Sequence, residues 1–168
     1  HDARLSSDKI FKAFSSGIIH SGKKIRYVGL VPTDVVYTMS GLWNLPGTMI
    51  TASHNPKEWN GFKFCKAGSR PIGIETGLED IKLLIDISNG YSELSKFDYE
   101  DIFDEYVSHI FSIVNPSTIN KHINIGLDAA NGVAARKARI GRASAQATNA
   151  PGQRVIMVPL PKVTSRSI

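Results

Sequence analysis

Cysteine is nearly absent from this 168-residue chain: Cys65 stands alone, so no internal disulfide can form. That suits a reducing compartment, and a cytoplasmic location is the expectation. Long apolar runs are missing too. None approaches the ~18–20 residues that span a bilayer, and no basic-then-apolar signal opens the chain, so no membrane partner is expected. Acids are absent after Asp128. Residues 134–168 hold Arg136, Lys137, Arg139, Arg142, Arg154, Lys162 and Arg166 without one Asp or Glu. Residues 1–133 carry 13 Lys or Arg against 15 acids, so the formal net charge of +5 is a property of the tail. That tail also lacks aromatic residues to stack on bases, and no specific nucleic acid partner is expected.

What is present has the balance of a soluble globular protein, with 42% apolar and 21% charged residues. Ser6 or Ser7 can cap a first helix in which Ile10, Phe11, Phe14 and Ile18 recur at helical spacing, and Gly22 closes it. IRYVGLV (25–31) is a short β-rich run, and DVVYTMSGL after Thr33 reads as a second helix. TMIT (48–51) reads as a buried strand, ASHNPKEWN as a loop and GFKFC (61–65) as the returning strand. A third helix is expected between Thr76 and Ser88, with Leu78, Ile81, Leu84 and Ile85 on one face and Asn89-Gly90 as its stop. Residues 98–114 read as a fourth, barred from continuing by Pro116. HINIGLD (122–128) reads as a strand, and VIMV (155–158) as one confined by Pro159 and Pro161. Alternating strands and helices imply an α/β fold, a layered mixed sheet with flanking helices. A boundary near Tyr91–Asp98 would separate a first domain (1–97) from the start of an incomplete second α/β domain (98–133). The segment 134–168 has no sustained period and is expected to be poorly ordered.

The stretch ITASHNP (50–56) sets Ser53 beside His54. A hydrolase is the first reading such a pair suggests. Neighbours on an extended chain point to opposite sides, however, and the nucleophile elbow G-x-S-x-G is missing. Extending the view adds Asn60, Gly61 and Lys63, giving T-A-S-H-N-P-x-x-x-N-G-x-K. This closely resembles the phosphoserine loop of the α-D-phosphohexomutases, the phosphomannomutase/phosphoglucomutase family. HDARLSS (1–7) resembles that family's D-x-R-x-S-S segment, and GLVPTDVVY (29–37) its strand-to-helix junction. PGTMI (46–50) resembles the strand into the active loop, and NIGLDAANGVA (124–134) the turn that starts the second domain.

The resemblance covers roughly residues 1–134. It implies that Ser53 carries a phosphoryl group and passes it to a hexose phosphate, through a bisphosphate intermediate, interconverting 1-phosphate and 6-phosphate. A loop of this kind needs positioning and charge stabilisation more than covalent chemistry from the protein. The resemblance places His54 near the reacting phosphate and Lys63 at the reacting centre. Asn55, Asn60 and Gly61 support the loop. Asp2 and Arg4 read as an ion pair bracing the domain, Trp59 as packing over the loop, and Cys65 as a small core residue.

The resemblance also implies a Mg²⁺ ion, held by the phosphate on Ser53 and by three aspartates of a D-G-D-x-D-R-type loop. No such cluster occurs in this sequence. Asp98, Asp101 and Asp104 read instead as one solvated face of a helix. The family's sugar-reading G-E-x-S-G-H loop is missing as well. The chain begins with His1 and resembles a first domain lacking its start plus the beginning of a second, with a tail that is out of frame or foreign. A fragment of this kind is expected to have little turnover alone. Thr51 and Trp59 resemble the phosphomannomutase/phosphoglucomutase branch more than the phosphoglucosamine branch, and mannose phosphate is the expected substrate, with glucose phosphate next. A non-catalytic phosphosugar-binding remnant is the alternative.

Overall fold

A computed structural model describes residues 1–85, 97–115, 124–127, 133 and 154–157. The first helix, α1 (Ser7–His20), has Ser6 in the cap position, but no serine side chain caps it. Ser7 instead donates its hydroxyl to Asp2, 2.7 Å away, which removes it from capping. At the other end Lys23 N donates to Ile18 O and Gly22 N to Ile19 O, with Gly22 at φ 76°. That pair of bonds is the Schellman stop that the glycine implied. The second helix, α2 (Thr33–Trp43), buries Val35, Val36, Met39 and Ser40, and ends at Asn44 in the left-handed region.

Three strands follow in sheet order β1 (Gly47–Ile50), β2 (Phe62–Lys66), β3 (Arg70–Pro71), all antiparallel. Period-two alternation sorts their side chains. Phe62 and Phe64 stack on one another and meet Phe14 of α1 on one face of the sheet. Met49 and Cys65, 1% and 2% exposed, lie on the other face, where Met49 joins Val31, Val35, Val36, Met39 and Ile102 in the core. Helices therefore cover both faces of the sheet. Gly47 is required there: a Cβ on it would lie 2.8 Å from Cys65 Sγ and 3.2 Å from Val36 Cγ1.

Segment 25–31 does not form a strand, although its residues favour one. It finds single rungs only: Glu100 N to Tyr27 O, His1 N to Gly29 O, and Val31 N to His1 O. Without a continuous partner the β-propensity of the run has no ladder to join.

After a 3₁₀ turn (Ile74–Thr76), α3 (Leu78–Leu84) is shorter than its apolar spacing predicts. It buries no residue, and Leu84 and Ile85 are exposed. The expected stop at Asn89-Gly90 lies outside the described residues. The next helix, α4 (Phe103–Ile113), starts five residues later than the periodicity suggests. Asp101 accepts a bond from Phe103 N at 3.2 Å, so Asp101 and Asp98 precede the helix and share no face with Asp104. Pro116 lies outside the described residues.

The chain divides into two compact units, His1–Val114 and Asn115–Ile168. The break expected near residues 91–98 falls inside the first unit, because 98–106 is tied to it. Ile102 enters the core, Arg26 forks onto Glu100, and Tyr106 donates to Asp34 at 2.6 Å. Trp43 Nε1 donates to Glu105, while the Arg26 guanidinium stacks 3.3 Å above the Trp43 ring. In the second unit β4 (Asn124–Leu127) pairs parallel with β5 (Arg154–Met157), Asn124 opposite Arg154. The strand expected in the tail is thus present; the poor order expected of the rest of the tail concerns residues outside those described. Among the described residues no helix is long and apolar enough to cross a membrane.

Candidate active site

Residues 51–61 leave β1 and return into β2. The neck is closed by Thr51 N donating to Gly61 O at 2.9 Å. Inside the loop Asn55 N reaches Ala52 O and Trp59 N reaches Pro56 O, two tight turns in succession. Ser53 sits at the tip with φ 55°, a left-handed conformation that non-glycine residues adopt rarely. Its N–H donates to Thr51 Oγ1 at 2.9 Å, and its own side chain is exposed.

The loop is gripped from below by the segment before α1. Arg4 Nη1 donates to Pro56 O (2.6 Å) and Trp59 O (3.0 Å). Arg4 Nη2 donates to Ser53 O (2.8 Å) and Asn55 O (2.9 Å), and Nε pairs with Asp2 Oδ2 at 3.0 Å. All five N–H groups of the guanidinium are thereby directed to acceptors. Asp2 also accepts from Thr51 Oγ1 and Ser7 Oγ, each at 2.7 Å, and from Arg4 N at 3.1 Å. Asn60 completes the frame: Nδ2 donates to Ser6 and Ser7 Oγ, and Oδ1 accepts from Gly61 N, all at 2.9 Å.

The electrostatics follow from this arrangement. Burial pushes the Asp2 carboxyl up, but the bonds donated by Thr51, Ser7 and Arg4 outweigh it and hold the group below the usual carboxylate range. The carbonyls of Ser53, Pro56 and Trp59 point at Arg4, and a trans peptide carries its N–H on the opposite side. The N–H groups of His54, Lys57 and Asn60 therefore face away from the guanidinium, and none makes a hydrogen bond among the described residues. Donors presented outward beside an exposed serine favour an anion there.

Ser53 and His54 are brought together, with Oγ 3.2 Å from Nδ1. The expectation that chain alternation would separate them fails, because Ser53 is left-handed rather than extended. The contact does not revive a triad: among the described residues no carboxylate hydrogen-bonds His54. Asn55 supports the loop through its backbone, and Asn60 and Gly61 through the bonds just given. Lys63 lies on β2 opposite Met49, half-buried, and its side chain makes no ion pair or hydrogen bond among the described residues. Trp59 is 65% exposed, so most of its ring is open to solvent. Cys65 is buried and its thiol is 3.3 Å from Ser40 Oγ, as a core residue should be.

Sequence reasoning found the Asp2–Arg4 ion pair and missed what Arg4 does beyond it. Ser6, Ser7 and Thr51 were missed as framing groups. The D-x-R-x-S-S spacing was the available signal, but nothing local in it points to residues about fifty positions away. Among the described residues no three His, Cys, Asp or Glu side chains form a group that can hold a metal.

Comparison with known proteins bears on this site. Residues 1–86 match the family model for phosphoglucomutase/phosphomannomutase, alpha/beta/alpha domain I. A phosphomannomutase from Vibrio cholerae serotype O1 is 31% identical over 136 residues, covering 79% of this chain and 29% of that protein. Phosphohexose mutases from Xanthomonas campestris pv. campestris are 34% identical over 135 residues, covering 79% and 30%. A crystal structure from Thermus thermophilus, of a protein named as a phosphomannomutase, superposes with a TM-score of 0.66 at 24% identity. It covers 75% of this chain and 29% of that one, and speaks for the fold. The chain spans about three-tenths of the length of these curated relatives.

Proposed function

The chain belongs to the phosphoglucomutase/phosphomannomutase family, whose domain I it matches over residues 1–86, and from that premise we propose that Ser53 is its phosphoryl carrier. The observation that carries the reading is the exposed, left-handed serine, fixed by Arg4 beneath it and flanked by unpaired outward N–H groups. Phosphate on Ser53 would bring about −1.5 to −2 charges and three acceptor oxygens to that position. The substrate is a hexose phosphate, mannose first and glucose second.

In the loading half-reaction a phosphoryl group leaves one oxygen of a hexose 1,6-bisphosphate and bonds to Ser53 Oγ. The serine proton passes to the freed sugar oxygen by way of His54, whose Nδ1 stands 3.2 Å from Oγ. The reverse step, on the other sugar hydroxyl, completes the interconversion. Lys63, on the strand that returns from the loop, balances charge at the reacting centre.

The family implies Mg²⁺, but the described residues do not fit it beyond one oxygen of a phosphorylated Ser53, and the sequence has no D-G-D-x-D-R run.

The test is the intact mass of the purified chain before and after incubation with a hexose 1,6-bisphosphate, followed by peptide mapping. One added phosphate on Ser53, absent from Ser53→Ala, is the expected result. An unmodified chain under conditions that phosphorylate a curated relative would overturn the reading.

A further inference from the structure

Asparagine is followed by glycine at 60, 89 and 131, and of these pairs Asn60-Gly61 is the one among the described residues. Asparagine is a thermally labile side chain, and a following glycine makes it more so. With no Cβ to shield it, the glycine nitrogen can reach the side-chain carbonyl of the asparagine before it. The backbone does not require glycine at this position. Gly61 is outside the left-handed region, and a Cβ on it would meet Thr51 O at an ordinary 3.5 Å. A labile pair thus stands at the neck of the candidate loop with no conformational need for its glycine.

In the closed loop the pair is held in a geometry that does not react. Gly61 N donates to Asn60 Oδ1 at 2.9 Å. A donor lies near the plane of the carbonyl it bonds, whereas a nucleophile has to reach the carbon from above that plane. Turning the side chain to allow this would break that bond and both bonds from Nδ2 to Ser6 and Ser7 Oγ. The backbone on either side is fixed as well. Arg4 Nη1 holds Trp59 O, and Thr51 N holds Gly61 O.

We propose that Asn60-Gly61 is a covalent modification site, kept closed by the Asp2, Arg4, Ser6 and Ser7 frame and exposed to deamidation each time the frame opens. In the open loop the Gly61 nitrogen bonds to Asn60 Cγ and the Cγ–Nδ2 bond breaks. The Gly61 proton leaves with the side-chain nitrogen as ammonia. Water then opens the cyclic imide at either carbonyl, leaving an aspartate at position 60 or its β-linked isomer. Nothing is oxidised or reduced, and the loss of ammonia makes the step one-way.

Neither product fits the frame. Ser7 Oγ already gives its one proton to Asp2, so it has none for a carboxylate oxygen in place of Nδ2. The β-linked form puts an extra atom into the backbone between positions 60 and 61, and so displaces the neck bond at Thr51. The candidate site therefore has a working life set by how often its loop opens. The inference is independent of the chemistry assigned to Ser53.

The full chain is incubated in mildly alkaline buffer, native and in guanidinium chloride, and the peptide spanning 57–63 is followed by mass. Deamidation at Asn60 is expected to be at least about tenfold slower in the native chain. Arg4→Ala and the milder Ser6→Ala leave the pair itself unaltered. Each should raise the native rate several-fold and leave the rate in denaturant unchanged, while Gly61→Ala should suppress the reaction in both states. The modified chain, separated from the parent by its added negative charge, is expected to exchange the Thr51 and Ser53 amides at least about tenfold faster. Equal rates in native and denatured chains overturn the proposal, as does a native rate that neither frame variant moves. A Gly61→Ala chain that reacts like the parent overturns it too, and so does unchanged exchange at Thr51 and Ser53 after modification.

Discussion

Four carbonyl oxygens of the loop converge on Arg4, and its planar fork reaches them together because its donors lie in one rigid plane. An ammonium keeps the charge and loses that geometry. Arg4→Ala is expected to lower the unfolding free energy by about 3 kcal/mol and Arg4→Lys by roughly half of that, read by urea denaturation. A loss within about 0.5 kcal/mol for both would mean that the loop holds itself. Asp2 gives this residue pair a pH dependence. Its carboxyl titrates lower in the folded chain than in the unfolded one, so between the two values the unfolded state binds more protons and stability rises with pH. The contribution is complete above the ordinary carboxylate value, about 4, and is lost as pH falls through the depressed one. Asp2→Asn should therefore be clearly less stable than the parent at neutral pH, with the gap narrowing in acid. A constant gap across a pH series of unfolding curves would refute the assignment.

Elements show which parts of the fold were legible. The stretches expected as α2, β1 and β2 match the structure closely, because each carries its own period and its own stops. Segment 25–31 has strand composition and no strand, since a strand is a relation between two chains and composition gives only one of them. α4 begins late because Asp101 bonds Phe103 N and so sets a start that the apolar spacing ignores. The Ser53–His54 pair was visible as a local motif, whereas the grip of Arg4 spans 49 to 55 residues and leaves no local trace. Two tests belong at this scale. Gly47→Ala drives a methyl to 2.8 Å from Cys65 Sγ at the sheet–α2 contact, and is expected to cost about 1–3 kcal/mol. Pairing it with Cys65→Ala should recover part of that loss in a double-mutant cycle, and additive losses would place the strain elsewhere. The tie between α4 and α2 can be titrated. Burial, then the bond donated to Asp34, then that carboxylate's charge push the Tyr106 hydroxyl up to about 12. Its contribution is complete below the unfolded value, about 10, and is lost as pH rises through about 12. Tyr106→Phe should remove about 1 kcal/mol at neutral pH and abolish the late phase of a tyrosine absorbance titration. A titration unchanged by the substitution would point to another tyrosine.

The whole chain combines an acidic-leaning first unit with a basic tail, and every group that frames the candidate site lies in the first unit. Within that unit the site joins the segment ahead of α1 to the turn after β1. The bonds that join the two halves of the site, from Arg4 to the loop carbonyls, from Thr51 to Asp2 and from Asn60 to Ser6 and Ser7, cannot exist until some fifty residues of intervening chain have been gathered. Closing a long loop costs entropy before its contacts return anything, whereas α1 and α2 rest on bonds four residues apart. The reactive serine should therefore be among the last parts of the unit to be organised in refolding and among the first to be released on warming. Substitutions at Arg4 should mainly speed unfolding and leave the folding rate nearly unchanged, while core changes such as Met39→Ala slow folding. In stopped-flow traces the helical signal would arrive ahead of any probe placed at the loop. The chain would thus have a temperature range in which it still looks folded by its helices and has already lost the geometry on which its chemistry depends.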